Sequence, residues 1–428
     1  MGYSSHSLIL KNDGTLWGCG LNNFSQLGLG DNKTRSTFTE ITTNTNNVKS
    51  VYCGGRHTII LKNDGTLWGC GNNSFGQFGL GDTTNRNIFT KIITNANNIK
   101  EVYCGSYHVI ILKNDGTLWG CGKNDYGQLG LGDNTNRNIF TQIATNIDDI
   151  KSICCGDNYT FILKNDNTLW GCGDNSCGQL GLGDKTNRTT FTRVTTNTDD
   201  IKEIYCGSYH AIILKNDGTL WSCGDNSFNQ LGLGDNKIRT TFTQVTANTD
   251  NIKEIYCGAN RTLILKNDGT LWGCGYNRYG ELGLGEIADK NIFTQITTNA
   301  DDIKLVCCGD NYTIILKNDD TLWGCGANNY GQLGLGDTAN RNIFTKVTTN
   351  TNNIKSFPNQ YEYIPFTIKV YNKNACLIET MEKINNFAKE ALVQAGFTGN
   401  IDFKITLKTN DDTKTPSITK IYIEYKNN

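Results

Sequence analysis

Residues Ile111 to Asp133 read ILKNDGTLWGCGKNDYGQLGLGD, and near copies recur with tryptophan at Trp17, Trp68, Trp119, Trp170, Trp221, Trp272 and Trp323. Neighbouring tryptophans are always 51 residues apart, and the chain has no others. From residue 1 to residue 357 the sequence is seven such units without insertion or deletion. A fixed period of this length marks a row of supersecondary units, each burying a face against the next.

Every unit holds four strand-like runs, which in one repeat are Ile99 to Cys104, His108 to Leu112, Thr117 to Cys121 and Ile139 to Ile143. The second and third are joined by KNDGT, whose Asp-Gly signals a hairpin turn because the geometry needs positive φ. Two units replace that glycine with Asn167 and Asp320, residue types that tolerate left-handed geometry. The glycines of GQLGLGD suit tight turning and close backbone approach. They do not make a phosphate loop: GLGDNKT (28–34) has Asn32 where glycine must precede the lysine. Each tryptophan is expected on a strand packed against the neighbouring unit, a core role worth on the order of 4–6 kcal/mol of gross hydrophobic stabilisation.

Four short strands in each of seven units predict a mainly β protein, a seven-bladed β-propeller with short, protected sheet edges. The units start out of phase with the chain. Met1 aligns with Tyr52, so the first blade lacks its first strand, while residues 354–357 (IKSF) are spare at the other end. Closure is therefore expected by that C-terminal strand joining blade one.

Lysine and arginine (40) balance aspartate and glutamate (41), which argues against nucleic acid as the main partner. The stretch MGYSSHSLILKNDG has no basic segment before an apolar run, and no segment reaches the length of a membrane span. A cytoplasmic protein without a membrane span is expected. Of seventeen cysteines, thirteen occupy two repeat positions, the Cys19 and Cys53 series, inside apolar strands. They read as small buried thiols, kept reduced, without metal-ligand spacing.

A unit running CGxxH, LKNDGTLWGCGxN and GQLGLGD resembles the regulator of chromosome condensation repeat, a family of seven-bladed propellers. The resemblance covers residues 1–357. Kelch units carry a diglycine in each repeat, and here one occurs in a single unit, at Gly54-Gly55; the tryptophan-aspartate dipeptide is absent. After Phe357 the composition changes: all three prolines lie there and no tryptophan or arginine does. Alternation at Phe366, Ile368 and Val370, a helical stripe from Leu377 to Ala395 and two further alternating runs predict a small α+β domain (β-α-β-β) over 358–428.

No catalytic constellation stands out, and no cofactor or metal is expected. The four histidines, His6, His57, His108 and His210, share one repeat position with Tyr159, Arg261 and Tyr312, which suits packing at a strand start. Asp31 and its equivalents are expected to accept hydrogen bonds from loop backbone. The resemblance implies one activity, since some family members are guanine-nucleotide exchange factors for Ran-class small GTPases and use a propeller face with a protruding insertion. The uniform unit length leaves no room for that insertion, and the first residues lack the basic tail of chromatin-bound members.

In an antiparallel four-stranded blade the first-to-second and third-to-fourth connections emerge on one face. On that face the copies differ, at Arg56, Tyr107, Asn158, Tyr209, Asn260 and Asn311 and at Lys123, Asp174, Asp225 and Tyr276. Tyrosine and arginine are common interface hot-spot types. The primary reading is a protein-interaction scaffold using this face. A guanine-nucleotide exchange factor for a Ran-like GTPase and a structural or surface-adhesion component are the alternatives.

Overall fold

The computed structural model describes residues 5–93, 98–143 and 149–358. The domain expected over 358–428 lies outside the described residues apart from Pro358.

Seven four-stranded antiparallel sheets form the blades of a propeller. Blade two shows the pattern: Val48–Cys53, His57–Lys62, Leu67–Gly71 and Arg86–Ile92 are hydrogen-bonded in sequence order. The first strands of blades three to seven begin at Ile99, Ile150, Ile201, Ile252 and Ile303. First strands of successive blades lie against one another and so line the axis. Blade one is closed by the two ends of the chain, with Ile354–Ser356 pairing with His6–Lys11 as expected.

The hairpins form as their turn residues require, with Gly14 at φ 82° and the two substitutes Asn167 and Asp320 at 64° and 61°. Asp13 accepts from Thr15 N and Thr15 Oγ1, both within 2.9 Å, and this turn recurs in every blade. Thr15 Oγ1 in turn accepts the indole N–H of Trp17 at 2.9 Å. The tryptophans are half-buried rather than fully buried, because each indole N–H needs this partner and each ring edges the blade-to-blade clusters. In six blades a lysine covers the ring, as Lys62 Nζ does 4.1 Å from the centroid of Trp68. Lys11, Lys62 and Lys113 are buried by this stacking and are not free turn residues.

Apolar side chains from facing sheets fill seven clusters between neighbouring blades; one joins Ile59, Leu61 and Phe78 to Val102, Val109 and Phe140. The GQLGLGD loop crosses the same seam. Gly79 has φ 63°, and a Cβ there would lie 2.5 Å from Phe140 of the next blade, so only glycine fits. Beside it, Gly81 N donates to Asn138 O of that blade at 2.7 Å.

The thiols join these seams. Cys70 Sγ donates to Gln26 O of the preceding blade at 3.5 Å, and all seven cysteines of this series make the same contact. Burial pushes these thiols upward in pKa, away from the reactive thiolate. Among the described residues all cysteines are free and buried except the half-buried Cys154, Cys177 and Cys307. Brief alkylation of native protein is expected to label, among the sixteen described cysteines, these three at most, and unfolding to release the rest. Mass spectrometry showing extensive native labelling, or disulfides under non-reducing conditions, would refute this.

Candidate functional site

The two variable positions of each blade are neighbours. The amide of Asn72 donates to Arg56 O at 2.8 Å, and the same bond joins Lys123 to Tyr107, Asp174 to Asn158, Asp225 to Tyr209, Tyr276 to Asn260 and Ala327 to Asn311. Gly71 makes the approach possible: it sits at φ 102°, and a Cβ would fall 2.6 Å from Arg56 O. Arg56, Tyr107, Asn158, Tyr209, Asn260, Asn311, Lys123 and Tyr276 are all half-buried at this face.

Asp174 and Asp225 are buried instead, since each carboxylate serves its own loop. Asp174 accepts from Ser176 N at 2.9 Å. Asp225 accepts from Ser227 N, Ser227 Oγ and Gln230 Nε2.

A third position, not singled out from the sequence, completes the face. It is aromatic in six units, as Phe24, Phe75, Tyr126, Phe228, Tyr279 and Tyr330, with Cys177 in the seventh. These rings reach across the seam to the next blade's variable residues. The Arg56 guanidinium lies 4.9 Å from the Phe24 centroid, Tyr107 meets Phe75 edge-to-face at 5.4 Å, and Tyr276 meets Phe228 at 5.1 Å. Lys123 Nζ sits between Phe75 and Tyr126 at 5.5 and 5.1 Å. The recurrence of Phe or Tyr three residues before LGLGD was the available signal.

Beneath the face runs a belt that accounts for the histidines. His6 Nε2 lies 3.1 Å from Thr58 Oγ1 of the next blade, whose hydroxyl donates to Gln26 O at 2.7 Å. The ring must then donate through Nε2. His108 and His210 repeat the contact with Thr160 and Thr262. His57 faces Val109 at that position and has no hydrogen-bond partner on either ring nitrogen. Burial lowers these rings in pKa, to about 4 for His6 and His210 and about 3 for His57 and His108, leaving them neutral at neutral pH.

Tyr159 and Tyr312 reach next-blade carbonyls instead, with Tyr159 Oη donating to Gly207 O at 2.9 Å and His210 O at 2.5 Å. Arg261 does so with a charge: Nη1 donates to Asp310 O at 2.6 Å, Nη2 to Gly309 O at 3.2 Å and Tyr312 O, and Nε to Thr313 Oγ1 at 3.3 Å. In the same blade Glu281 replaces the glutamine of every other unit. Burial pushes its carboxyl up to about 7 against the opposing pull of Arg261.

A second buried carboxyl raised in this way is Asp157. Burial raises it to about 6, and it accepts from Ser106 Oγ at 2.7 Å. The Asp31 series holds the loop ends, with Asp31 accepting from Lys33 N at 2.9 Å and pairing with Arg35 at 2.7 Å. Six blades carry this Asp-Arg pair, and blade six has Glu286 with Lys290. Among the described residues no three or more His, Cys, Asp or Glu side chains form a group that could hold a metal, and no helix is long and apolar enough to cross a membrane.

Seven near-identical blades, closed by a strand from beyond the last repeat, define a repeat propeller. The chain belongs to the regulator of chromosome condensation family. The RCC1-like domain matches residues 135–367, and the Regulator of chromosome condensation (RCC1) repeat matches 13–61, 64–112, 48–77 and 99–128.

The ultraviolet-B receptor UVR8 of Arabidopsis thaliana is 32% identical over 354 residues, covering 79% of each chain. The X-linked retinitis pigmentosa GTPase regulator of Homo sapiens is 31% identical over 325 residues, 72% of this chain and 31% of that protein. The chain thus spans about a third of the length of that relative. Among solved structures, yeast RCC1 (Prp20) bound to Kap60 superposes with a TM-score of 0.71 at 18% identity, covering 82% of this chain and 86% of that one. Human WBSCR16 gives 0.67 at 18%, covering 80% and 94%. At such identity these two structures speak for the fold alone.

Proposed function

We propose that the propeller is a protein-interaction scaffold whose partner binds the face carrying Arg56, Tyr107, Asn158, Tyr209, Asn260, Asn311, Lys123 and Tyr276. Asp174 and Asp225 shape its loops from below. The observation that carries this reading is the interlocked row of aromatic and cationic side chains across the blade seams, at the positions where the blades differ. Aromatic groups held rigid before binding give large contact area at low entropic cost.

Alanine at Tyr107, Tyr209, Tyr276 or Arg56 is expected to leave the fold intact. At a true hot spot it should weaken a captured protein partner about thirtyfold, read by titration calorimetry. Asn63 and Asn114, exposed on the opposite turns, are the controls. Losses confined to the two asparagine variants would move the partner to the other face.

A second reading is guanine-nucleotide exchange on a Ran-like small GTPase. It draws on the relatives named as GTPase regulators and on the Prp20p structure described with its binding to Gsp1p and histones. An exchange factor must prefer the nucleotide-free GTPase. Equal capture of empty and loaded GTPase would remove this reading, and a strong preference for the empty form would establish it.

A further inference from the structure

The face is not built alike around the ring. Where other units read GQLGLGD or a near variant, blade six reads GELGLGE over 280–286 and continues with Ile287. The equivalents of Ile287 are Asn32, Thr83, Asn134, Lys185, Asn236 and Thr338. Ile287 is 62% exposed, so an aliphatic group has replaced polar ones in water. In adjacent blade five, Ile238 stands where Asn85, Asn136, Asn187 and Asn340 each accept a loop amide hydrogen bond. Ile238 gives up that bond and is 36% exposed. Both substitutions leave an aliphatic side chain partly in water, and both fall on the loops that carry Phe228, Tyr276 and Tyr279.

Arg278 stands among those rings. Its guanidinium lies 5.6 Å from the Phe228 centroid and 5.5 Å from that of Tyr276, and Nε donates to Asp289 Oδ2 at 3.4 Å. The other units have Asn, Ser or Asp at this position. The hydrogen bonds it makes leave both Nη groups unpaired on a side chain that is 60% exposed. A guanidinium fixed in this way offers its terminal edge to a carboxylate with little entropy left to lose. Lys290 and Arg239 nearby are paired with Glu286 and Asp235, as Arg278 is with Asp289 through Nε alone, so the sector lacks the cation density a polyphosphate or nucleic acid would need.

We propose that this sector of blades five and six docks a segment of another protein that presents an aspartate or glutamate carboxylate beside a bulky apolar side chain. The carboxylate takes the Nη edge of Arg278 as a bidentate pair, and the apolar group covers Ile287, Tyr279 and Ile238. The inference rests on the assignment of this face as the binding face and adds the sector and the partner's chemistry.

The test pans a library of short random peptides against the full chain and measures selected peptides by fluorescence anisotropy. Wild type, R278E and I287S are compared after their melting curves are shown to match. Enriched peptides are expected to pair an acidic with a large apolar residue. Each variant should weaken them about tenfold or more, and panning on R278E should favour basic peptides. The absence of enrichment, enrichment without acidic residues, or indifference to both variants would overturn the proposal.

Peptides that respond to alanine at Arg56 and Tyr107 but not to R278E would keep the face and reject the sector. Peptides sensitive only to changes at Asn63 and Asn114 would reject the face as well. A dimer of the chain alone, lost in I287S by sedimentation, would put a second copy in place of the outside partner and also overturn the proposal.

Discussion

Removal of residues 354–428 is expected to lower the melting temperature by about 5–10 °C more than removal of residues 360–428, on the order of 5 kcal/mol for a chain of this size. The longer deletion takes away the first strand of blade one. It breaks the pairing of Leu10 with Ser356 and Lys11 with Ile354. It also strips Ile354 and Phe357, 1% and 3% exposed, from the cluster holding Ile9, Cys19, Phe38 and Tyr312. The shorter deletion leaves all of these in place. Calorimetry that finds equal effects for the two truncations would show that the strand does not close the ring.

Alanine at Arg261 is expected to cost about 3–5 kcal/mol, the range for removing one member of a buried charge network. The guanidinium bonds three carbonyls and a hydroxyl of the next blade, and its loss removes all four of these bonds beside the buried Glu281. The double variant R261H/E281Q should recover most of that loss. It restores the histidine and glutamine of other blades, and Thr313 stands where Thr262 meets His210.

The single variant E281Q has a pH signature. The folded carboxyl is raised to about 7, above its ordinary 4.5, so the stability this group contributes is complete below pH 4.5 and is lost as pH rises through 7. E281Q should therefore match wild type near pH 4 and exceed it above pH 7, by on the order of 3 kcal/mol at most. Denaturant titrations in which the advantage grows toward acid would contradict the burial argument. Recovery absent from the double variant would show that Arg261 and Glu281 do not act together.

The period of 51 residues, the Asp-Gly turns and the spare IKSF carried the architecture, because each depends on local geometry or on counting strands. Strand ends moved by one or two residues, as when the fourth run began at Arg137 rather than Ile139. From the sequence the tryptophans read as core residues, and nothing along one unit links them to the lysines beside the turns. Only the tertiary structure shows the lysines lying on the indoles.

Sequence alone determined that the chain is a ring of seven equivalent units, since periodic apolar runs and fixed turn residues leave few other ways to bury these faces. It also located the positions at which the units differ. Which of those positions remain available to a partner was decided by tertiary structure. Asp174 and Asp225 turned inward to satisfy their loops, while Arg278, Ile238 and Ile287 stand exposed at the face. The belt from His6 to Thr58 and from Arg261 to Thr313 is likewise invisible along one unit. Its partners are 52 residues apart and meet only because closure sets each blade against the next.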